Sequence, residues 1–204
     1  MLKIVDVSGI QDVSIDAPSL EYLCYRPNND FDAPFKIDFD RCRNLKELRM
    51  WSVKGTFFTN KWFLELFPKF PFLESLNLDN CKMAERIDIS SVRLEVLELL
   101  DCSNLKEVNI DAPNLLSCEY RGEGVSESTI SFSRNSNQLE VNIQTHIEYV
   151  DLCNFREFVK NIKPNNVLTS LSLYIGGALN VDQDALDPVG LQVSSPLPRI
   201  KHLA

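Results

Sequence analysis

Apolar residues recur along the chain in a fixed pattern, which is the strongest structural signal in the sequence. From Leu73 the chain reads L-x-x-L-x-L-x-x-C, and from Leu94 the same spacing returns and ends at Cys102. The L-x-L segment predicts a short strand, because alternate side chains of a strand point to the same face. We expect the Cys or Asn that follows to lie where the chain turns, since a small side chain fits beneath such a turn.

The first residue of each L-x-L segment marks one coil of a repeat. These residues are Leu2, Leu23, Leu48, Leu76, Leu97, Cys118, Val141 and Leu171. The intervals are 21, 25, 28, 21, 21, 23 and 30 residues, within or near the range of leucine-rich repeats. We therefore predict an α/β fold, a leucine-rich-repeat solenoid or horseshoe. It has a parallel sheet of about eight short strands, with few helices on the convex side.

A longer block of sequence also repeats without a gap. Shifted back by 95 residues, the segment that ends at Arg121 lies over the segment that ends at Arg26. The tetrad IDAP at residue 110 falls on IDAP at residue 15, and YR at residue 120 falls on YR at residue 25. This internal match supports a repeat architecture.

A second alternating segment follows in most of the short coils. These segments are Val13 to Ile15, Ile37 to Phe39, Ile87 to Ile89, Val108 to Ile110 and Ile130 to Phe132. We interpret them as a second row of short strands or extended turns on the return side of each coil. Asp-Ala-Pro stands beside three of them, where proline stops a strand ladder and directs the chain into a turn.

The two longest intervals are predicted to contain helices. Residues 60–67 carry an apolar stripe at helical spacing that we assign to the core, with Thr59 or Asn60 as the cap and Pro68 as the end. Residues 151–162 carry a second stripe, closed by Pro164. The stripes comprise Trp62, Phe63, Leu66 and Phe67 in the first helix, and Leu152, Phe155, Phe158, Val159 and Ile162 in the second.

The repeat spacing divides the chain into three regions. We predict a leucine-rich-repeat array at residues 1–175, an irregular loop at 176–195 and the start of a further, truncated repeat at 196–204. Terminal coils of a solenoid usually need a polar outer face. Both ends lack one, so we expect a fragment of a longer protein whose exposed end coils favour self-association.

The net charge and the spacing of the cysteines restrict the possible partners and the cellular compartment. The formal net charge of −8 argues against nucleic-acid partners, which need basic surfaces. No apolar run reaches the ~20 residues of a membrane helix, and the start of the chain does not resemble a signal peptide. The six widely spaced cysteines are typical of reduced, buried thiols. We expect an intracellular protein, in the cytoplasm or nucleus, with no nucleic-acid or membrane partner.

The sequence offers no set of residues that favours catalysis. His146 and Cys153 are assigned to a strand end and a helix start, so a Cys–His nucleophile pair is not expected. The D-x-D pairs at residues 38–40 and 182–184 lack the further oxygen ligands of a calcium loop. We predict that the protein is not an enzyme and has no cofactor and no metal site.

The remaining functional feature is the outward side of the predicted sheet, which stacked repeats use as an extended concave binding surface. Our candidate partner-binding residues are Arg26, Arg49, Trp51, Asn77, Asp79, Glu98, Glu119, Arg121 and Tyr174. Aromatic and arginine side chains dominate interface energetics. Two alternatives stay open: Trp51 only packs on neighbouring coils, or the charged residues only form a solvated face. Acidic side chains on adjacent coils also leave a basic partner segment open.

Three segments resemble plant F-box/leucine-rich-repeat proteins. FPFLESLNLDNC, from Phe70 to Cys81, resembles their C-P-x-L-E-x-L-x-L-x-x-C stretch. VNIDAPNLLSCEY, which starts at Val108, is similar to their I-x-A-P-N-L-x-S-F-x-Y segment, and LPRIKHL, which starts at Leu197, resembles a later unit. The A-P-N-L block is the more specific element, because every class of leucine-rich repeat has the L-x-x-L-x-L core.

The resemblance implies a substrate-recognition subunit of a cullin-RING (SCF) ubiquitin ligase. Such a subunit docks on Skp1 through an F-box, and no F-box stands in this sequence. The chain is then expected to be a non-catalytic protein-interaction module, linked to Skp1 and the cullin only through that missing F-box, with an unknown protein target. Two alternatives are a sensor segment of a plant-type immune receptor and a small-molecule-binding leucine-rich-repeat receptor.

Overall fold

The structure is a computed structural model that describes residues 1–7, 12–27, 36–53, 58–123, 129–149, 163–164, 170–178 and 202–203. The strands are β1 (Leu2–Val7), β2 (Asp12–Ser14), β3 (Tyr22–Pro27), β4 (Lys36–Asp38), β5 (Glu47–Trp51), β6 (Ser75–Asp79), β7 (Arg86–Ser90), β8 (Val96–Leu100), β9 (Glu107–Ala112), β10 (Ser117–Glu123), β11 (Thr129–Asn135), β12 (Glu140–Tyr149), β13 (Lys163–Pro164), β14 (Ser170–Ala178) and β15 (His202–Leu203). The helix α1 spans Asn60–Lys69.

The L-x-L segments form one parallel sheet, as predicted. Its nine described strands stand in the order β1-β3-β5-β6-β8-β10-β12-β14-β15, which is also their order along the chain. The eight marker residues that the spacing predicts lie opposite one another, from Leu2 beside Leu23 at one side to Val141 beside Leu171 at the other. The solenoid fold predicted from the sequence is therefore confirmed.

The predicted second row of strands is also present. On the return side of the coils, β2 pairs with β4, and β7, β9, β11 and β13 form a separate parallel sheet. Val108 stands between Ile87 and Ile130 in this second sheet, so its apolar residues are in register as well.

Side chains from equivalent positions of successive coils stack to form the core. Leu23, Leu48, Leu76 and Leu97 are each 0 % exposed. Burying one such side chain contributes roughly 1.5–3 kcal/mol. The return side closes the core with the buried residues Ile87, Ile89, Val108, Ile110, Ile130 and Phe132.

The repeated IDAP tetrads make equivalent contacts. Asp16 pairs with Arg41 of the next coil at 3.8 Å, and Asp111 pairs with Arg134 of the next coil at 2.5 Å. In both copies the aspartate of the tetrad therefore pairs with an arginine of the next coil, and only the second pair is hydrogen-bonded.

A left-handed residue turns the chain directly after each of three strands. Ser52, Asn80 and Asp101 have φ angles of 54°, 51° and 50° and follow β5, β6 and β8. Each donates its backbone N–H to the next coil, for example Asn80 to the carbonyl of Leu100 at 2.8 Å. Short polar side chains are the non-glycine residues that best tolerate this conformation.

The cysteines of the repeat lie beneath these turns, as the sequence predicts. The Cys81 thiol donates to the carbonyl of Met50 in the preceding coil at 3.6 Å, and the Cys102 thiol to that of Leu78 at 3.4 Å. Burial raises the pKa of Cys81, Cys102 and Cys118 to about 12.

These three thiols are expected to resist alkylation in the folded protein. The thiolate is the reactive form, and a pKa near 12 leaves little of it at pH 7.5. We predict that iodoacetamide modifies Cys81, Cys102 and Cys118 about 100-fold or more slower in buffer than in urea. Peptide mass spectrometry over a time course measures the rate at each site. Equal rates in the two conditions would contradict the burial of these thiols.

Helix α1 fills the coil between β5 and β6. Its cap is Thr59, whose Oγ1 accepts the N–H of Trp62 at 3.2 Å, and its buried residues are Phe63, Leu66 and Phe67. The assignment of the stripe to the core is confirmed for these three residues.

The predicted end of this helix is wrong. Pro68 lies inside α1, which continues to Lys69, and the N–H of Phe70 donates to the carbonyl of Leu66 at 2.9 Å. Pro68 has no N–H to donate to the carbonyl of Leu64, so the helix loses one backbone hydrogen bond. This loss is tolerated because the helix ends one residue later.

A polar network joins α1 to the second sheet. Asn60 Nδ2 donates to Asp88 Oδ2 at 2.9 Å, and the N–H of Asp88 donates back to Asn60 Oδ1 at 2.8 Å. On the other side, Asn109 Nδ2 donates to Asp88 Oδ1 at 2.9 Å, and Ser131 Oγ donates to Asn109 Oδ1 at 2.5 Å. The bond from Asn109, helped by those from Asn60 and Arg86 and opposed by burial, lowers the pKa of Asp88.

The ionised form of Asp88 is therefore expected to stabilise the fold. Because the folded-state pKa is lowered, this contribution is present above the ordinary aspartate pKa of about 3.9 and is lost as the pH falls through the folded-state value. We predict that Asp88→Asn lowers the free energy of unfolding by about 1 kcal/mol at pH 7. The difference should shrink below about pH 4.

Urea unfolding at pH 7 and pH 3 measures this difference. Asp12→Asn removes an exposed carboxylate and serves as the control, with an expected change within about 0.5 kcal/mol at both pH values. A difference for Asp88→Asn that stays constant between the two pH values would disprove the role of its charge.

The predicted division into three regions stays a prediction. Strand β14 continues to Ala178, so the first three residues of the predicted loop at 176–195 belong to a strand. β15 pairs with β14 through Leu203 beside Leu173. The predicted helix at 151–162 and the remainder of the loop lie outside the described residues. In the part of the chain described, no helix is long and apolar enough to cross a bilayer.

Candidate functional site

The candidate site is the outward face of the nine-stranded sheet, which we call the ladder face. In β5, Leu48 and Met50 are buried at 0 % exposure, while Glu47, Arg49 and Trp51 alternate with them and are half-buried. Because side chains alternate across a strand, the residues between the buried ones line this second side. In leucine-rich-repeat solenoids it is the concave, binding side.

The predicted site residues fall into two rows across this face. The first row contains Lys3, Cys24, Arg49, Asn77, Glu98, Glu119, Asn142 and Ser172, which are consecutive register partners. The second contains Val5 beside Arg26, and then Trp51, Asp79, Leu100, Arg121, Gln144 and Tyr174. All nine candidates therefore lie on strands of the same sheet. The backbone of Tyr174 lies in β14, and its side chain is not among those described.

Arg49 is held by a neighbour on its own strand. Its Nε donates to Glu47 Oε1 at 2.5 Å, and both side chains are about one-third exposed, at 38 % and 29 %. The pair fixes the partly exposed guanidinium, which has further N–H donors beyond the one that Glu47 accepts.

Trp51 and Asp79 are register partners on β5 and β6. Burial and the negative charge of Asp101 raise the pKa of Asp79, while the positive charges of Arg121 and Arg26 and the neighbouring Trp51 indole, which can only donate, act in the opposite direction. Trp51 is half-buried at this position.

Arg121 forms the second fixed contact of the face. Its Nε donates to Asp101 Oδ2 at 2.9 Å, and its side chain is 31 % exposed. Asp101 is also one of the left-handed turn residues, so this ion pair holds Arg121 against the turn that follows β8.

The centre of the first row contains hydrogen-bond acceptors. Asn77 Nδ2 donates to Glu98 Oε2, and Gln144 Nε2 donates to Glu119 Oε1 at 3.3 Å. The Oδ1 atoms of Asn77 and Asn142 are buried and have no hydrogen-bond partner among the described residues. Asn77 itself is only 5 % exposed.

Sequence reasoning missed two residues of this face. Glu47 precedes Arg49 by two positions, and strand periodicity alone places both on one side. Asp101 follows β8 directly and stands one position past the row that contains Arg121. The repeat spacing therefore carried a signal for both, because it fixes which side chains are neighbours. Among the described residues, no group of three or more His, Cys, Asp or Glu side chains is arranged to hold a metal ion.

Parallel strands, return-side strands and stacked leucines together define a leucine-rich-repeat solenoid. The chain belongs to the plant leucine-rich-repeat family described as At1g61320/AtMIF1, LRR domain, whose family model matches residues 19–172. A search of curated proteins and a search of solved structures each found no match. The leucine-rich-repeat domain indicates a protein–protein interaction module, and this solenoid fold is typically a non-catalytic scaffold.

Proposed function

We propose that the chain recognises a protein target through its ladder face, as the substrate-recognition part of an F-box-type (SCF) ubiquitin-ligase receptor. The family membership supports the interaction role. The segments that resemble plant F-box/leucine-rich-repeat proteins suggest the ligase context. The partners of such a receptor are intracellular, and contact with Skp1 and the cullin would require an F-box joined to these repeats.

One observation carries the proposal: two arginine side chains of the ladder face are held in place before any partner binds. Arg49 is fixed by Glu47, and Arg121 is fixed by Asp101. Ordering a long side chain at an interface costs about 0.5–1.5 kcal/mol, so side chains ordered in advance reduce the cost of association.

The types of residue at these positions also favour protein binding. Trp and Arg are the residues most enriched among those that dominate interface energy. Trp51 and Arg49 lie two residues apart on β5, so they form one continuous patch on the ladder face.

Affinity capture with the full chain as bait tests the proposal. Plant-cell extract is passed over the immobilised protein, and captured proteins are quantified by mass spectrometry. We expect one or a few specific partners whose capture falls about 10-fold or more with Arg49→Ala/Trp51→Ala. Circular dichroism confirms that each variant is folded.

The chain offers a matched control pair outside the ladder face. Arg93 stacks on the exposed Phe72 with its guanidinium carbon 5.6 Å from the ring centroid. Arg93→Ala/Phe72→Ala removes the same kinds of side chain, and capture should be unchanged. Equal losses with both double variants, or no specific partner at all, would refute binding through the ladder face.

A fusion to an F-box tests the ligase context separately. With an F-box placed before residue 1, the captured target should become ubiquitinated in cells. The same fusion with Arg49→Ala/Trp51→Ala should leave the target unmodified. A target that binds the fusion and is never ubiquitinated would retain the interaction role and reject the ligase role.

A further inference from the structure

Four acceptor-bearing side chains stand side by side at the centre of the ladder face. Asn77, Glu98, Glu119 and Asn142 are consecutive register partners on β6, β8, β10 and β12. We call these four residues the acceptor row. Neighbouring strands are about 4.8 Å apart, so the row extends over roughly 14 Å.

The two carboxylates of the row have no ion-pair partner among the described residues. Asn77 and Gln144 give Glu98 and Glu119 neutral amide hydrogen bonds. The short contacts of the neighbouring cations go to other carboxylates: Arg49 pairs with Glu47 at 2.5 Å and Arg121 pairs with Asp101 at 2.9 Å. Glu98 interacts with Arg49 only through its charge, without an ion-pair contact. Like charges directly opposite each other on adjacent strands are destabilising, so the pair favours an added cation.

The buried amide oxygens provide a second, independent observation. Asn77 is 5 % exposed, its Nδ2 donates to Glu98, and its Oδ1 has no hydrogen-bond partner among the described residues. Within the same part of the chain, Asn142 Oδ1 at the other end of the row is also buried and unpaired. A buried acceptor without a donor is destabilising, so a donor from a partner, reached after a change of the amide rotamer, would relieve this cost.

The shape of the row selects the kind of donor. Calcium needs six to eight oxygens that converge at about 2.3–2.6 Å, whereas these oxygens are spread along a line. A guanidinium carries five donors in one plane and binds carboxylates in a bidentate way. In an extended peptide, alternate side chains leave the backbone about 6.8 Å apart, and the two halves of the row are centred about 9.6 Å apart. Two long, flexible side chains such as arginine can splay to cover this difference.

We propose that the acceptor row binds a basic, extended segment of the partner protein through two arginine side chains separated by one residue. One guanidinium lies against Asn77 and Glu98, and the other against Glu119 and Asn142. This inference rests on the proposed function of the ladder face and names the chemistry of its partner. The net charge of −8 favours the approach of a basic segment as well.

A labelled peptide tests the proposal with the full 204-residue chain. The probe is fluorescein-labelled Gly-Ser-Arg-Ser-Arg-Ser-Gly, and its control replaces both arginines by citrulline, which has the same shape and no charge. Fluorescence anisotropy at fixed ionic strength measures both. We expect the arginine peptide to bind about 10-fold or more tightly than the citrulline peptide, since charge-assisted bonds are the stronger ones.

Matched variants locate the binding. Glu98→Gln/Glu119→Gln should weaken binding of the arginine peptide about 10-fold. Glu65→Gln/Glu85→Gln, in α1 and just before β7, changes the net charge equally on the return side and should leave binding unchanged. Asn142→Asp adds a carboxylate to the row and should tighten binding. Equal weakening by the two double variants would show a general charge effect and overturn the proposal.

Two further outcomes also decide against the acceptor row. Loss of peptide binding in millimolar calcium chloride, at matched ionic strength, would identify the row as a metal site. A captured partner that depends on Arg49 and Trp51 but not on Glu98 and Glu119 would leave the proposed function intact and refute this inference alone. Peptide binding as expected, with no protein captured, would instead refute the proposed function.

Discussion

Phe63→Ala is expected to lower the free energy of unfolding by about 3–5 kcal/mol, the largest effect we predict for a single substitution. Phe63 is 0 % exposed and lies on the face of α1 that packs into the coil between β5 and β6. Its ring contacts Trp62 edge to face, with the centroids 4.9 Å apart. Truncation leaves a cavity between the helix and the sheet that the surrounding coils cannot fill.

The adjacent residue provides the control. Leu64 is 54 % exposed, about 100° around α1 from Phe63, and Leu64→Ala should change stability by less than about 0.5 kcal/mol. Urea unfolding followed by tryptophan fluorescence and circular dichroism measures both variants. Equal effects at residues 63 and 64 would contradict the orientation of the helix.

Leu97→Ala should lower the free energy of unfolding by about 2–5 kcal/mol, because Leu97 lies in the middle of the leucine stack. It is 0 % exposed and stands between Leu76 and Cys118 in the register of the sheet. The lost contacts therefore involve three coils at once. The same unfolding measurement detects the loss, and hydrogen exchange should show faster exchange in β6, β8 and β10.

Leu116→Ala is the control for this position. Leu116 is 40 % exposed at the turn before β10, and its truncation should cost less than about 1 kcal/mol. A small effect for Leu97→Ala would mean that the stacked leucines do not hold the coils together.

The main sheet could be predicted from the sequence because one physical constraint repeats in every coil. Each coil must bury its L-x-L face against the next, so the marker residues have to be register partners. Val141 illustrates this, since it is not a leucine and still stands opposite Cys118 and Leu171. The short return-side strands were predictable for the same reason, from their alternating Val, Ile and Phe.

The wrong prediction of where α1 ends has a different cause. A proline was expected to end the helix, but near a helix end it removes a single hydrogen bond and the packing of Phe67 keeps the last turn in place. The end of α1 is therefore set by tertiary packing, which cannot be predicted from the local sequence pattern alone.

The ladder face was predictable as a set of positions and less so as a set of contacts. Spacing placed Arg49, Trp51 and Arg121 on the outward side. It did not show that Arg49 pairs with Glu47 on its own strand or that Arg121 pairs with Asp101. Which of several nearby charges pair depends on side-chain rotamers. The unpaired Asn77 oxygen depends on them too, because it follows from which neighbour uses the amide nitrogen.

The neighbours of each strand in the main sheet are the strands one coil before and one coil after it. A ribosome releases the chain in that same order. Each coil can therefore dock on the one already wound as soon as two dozen or so further residues emerge, and folding need not wait for the last residue to be made.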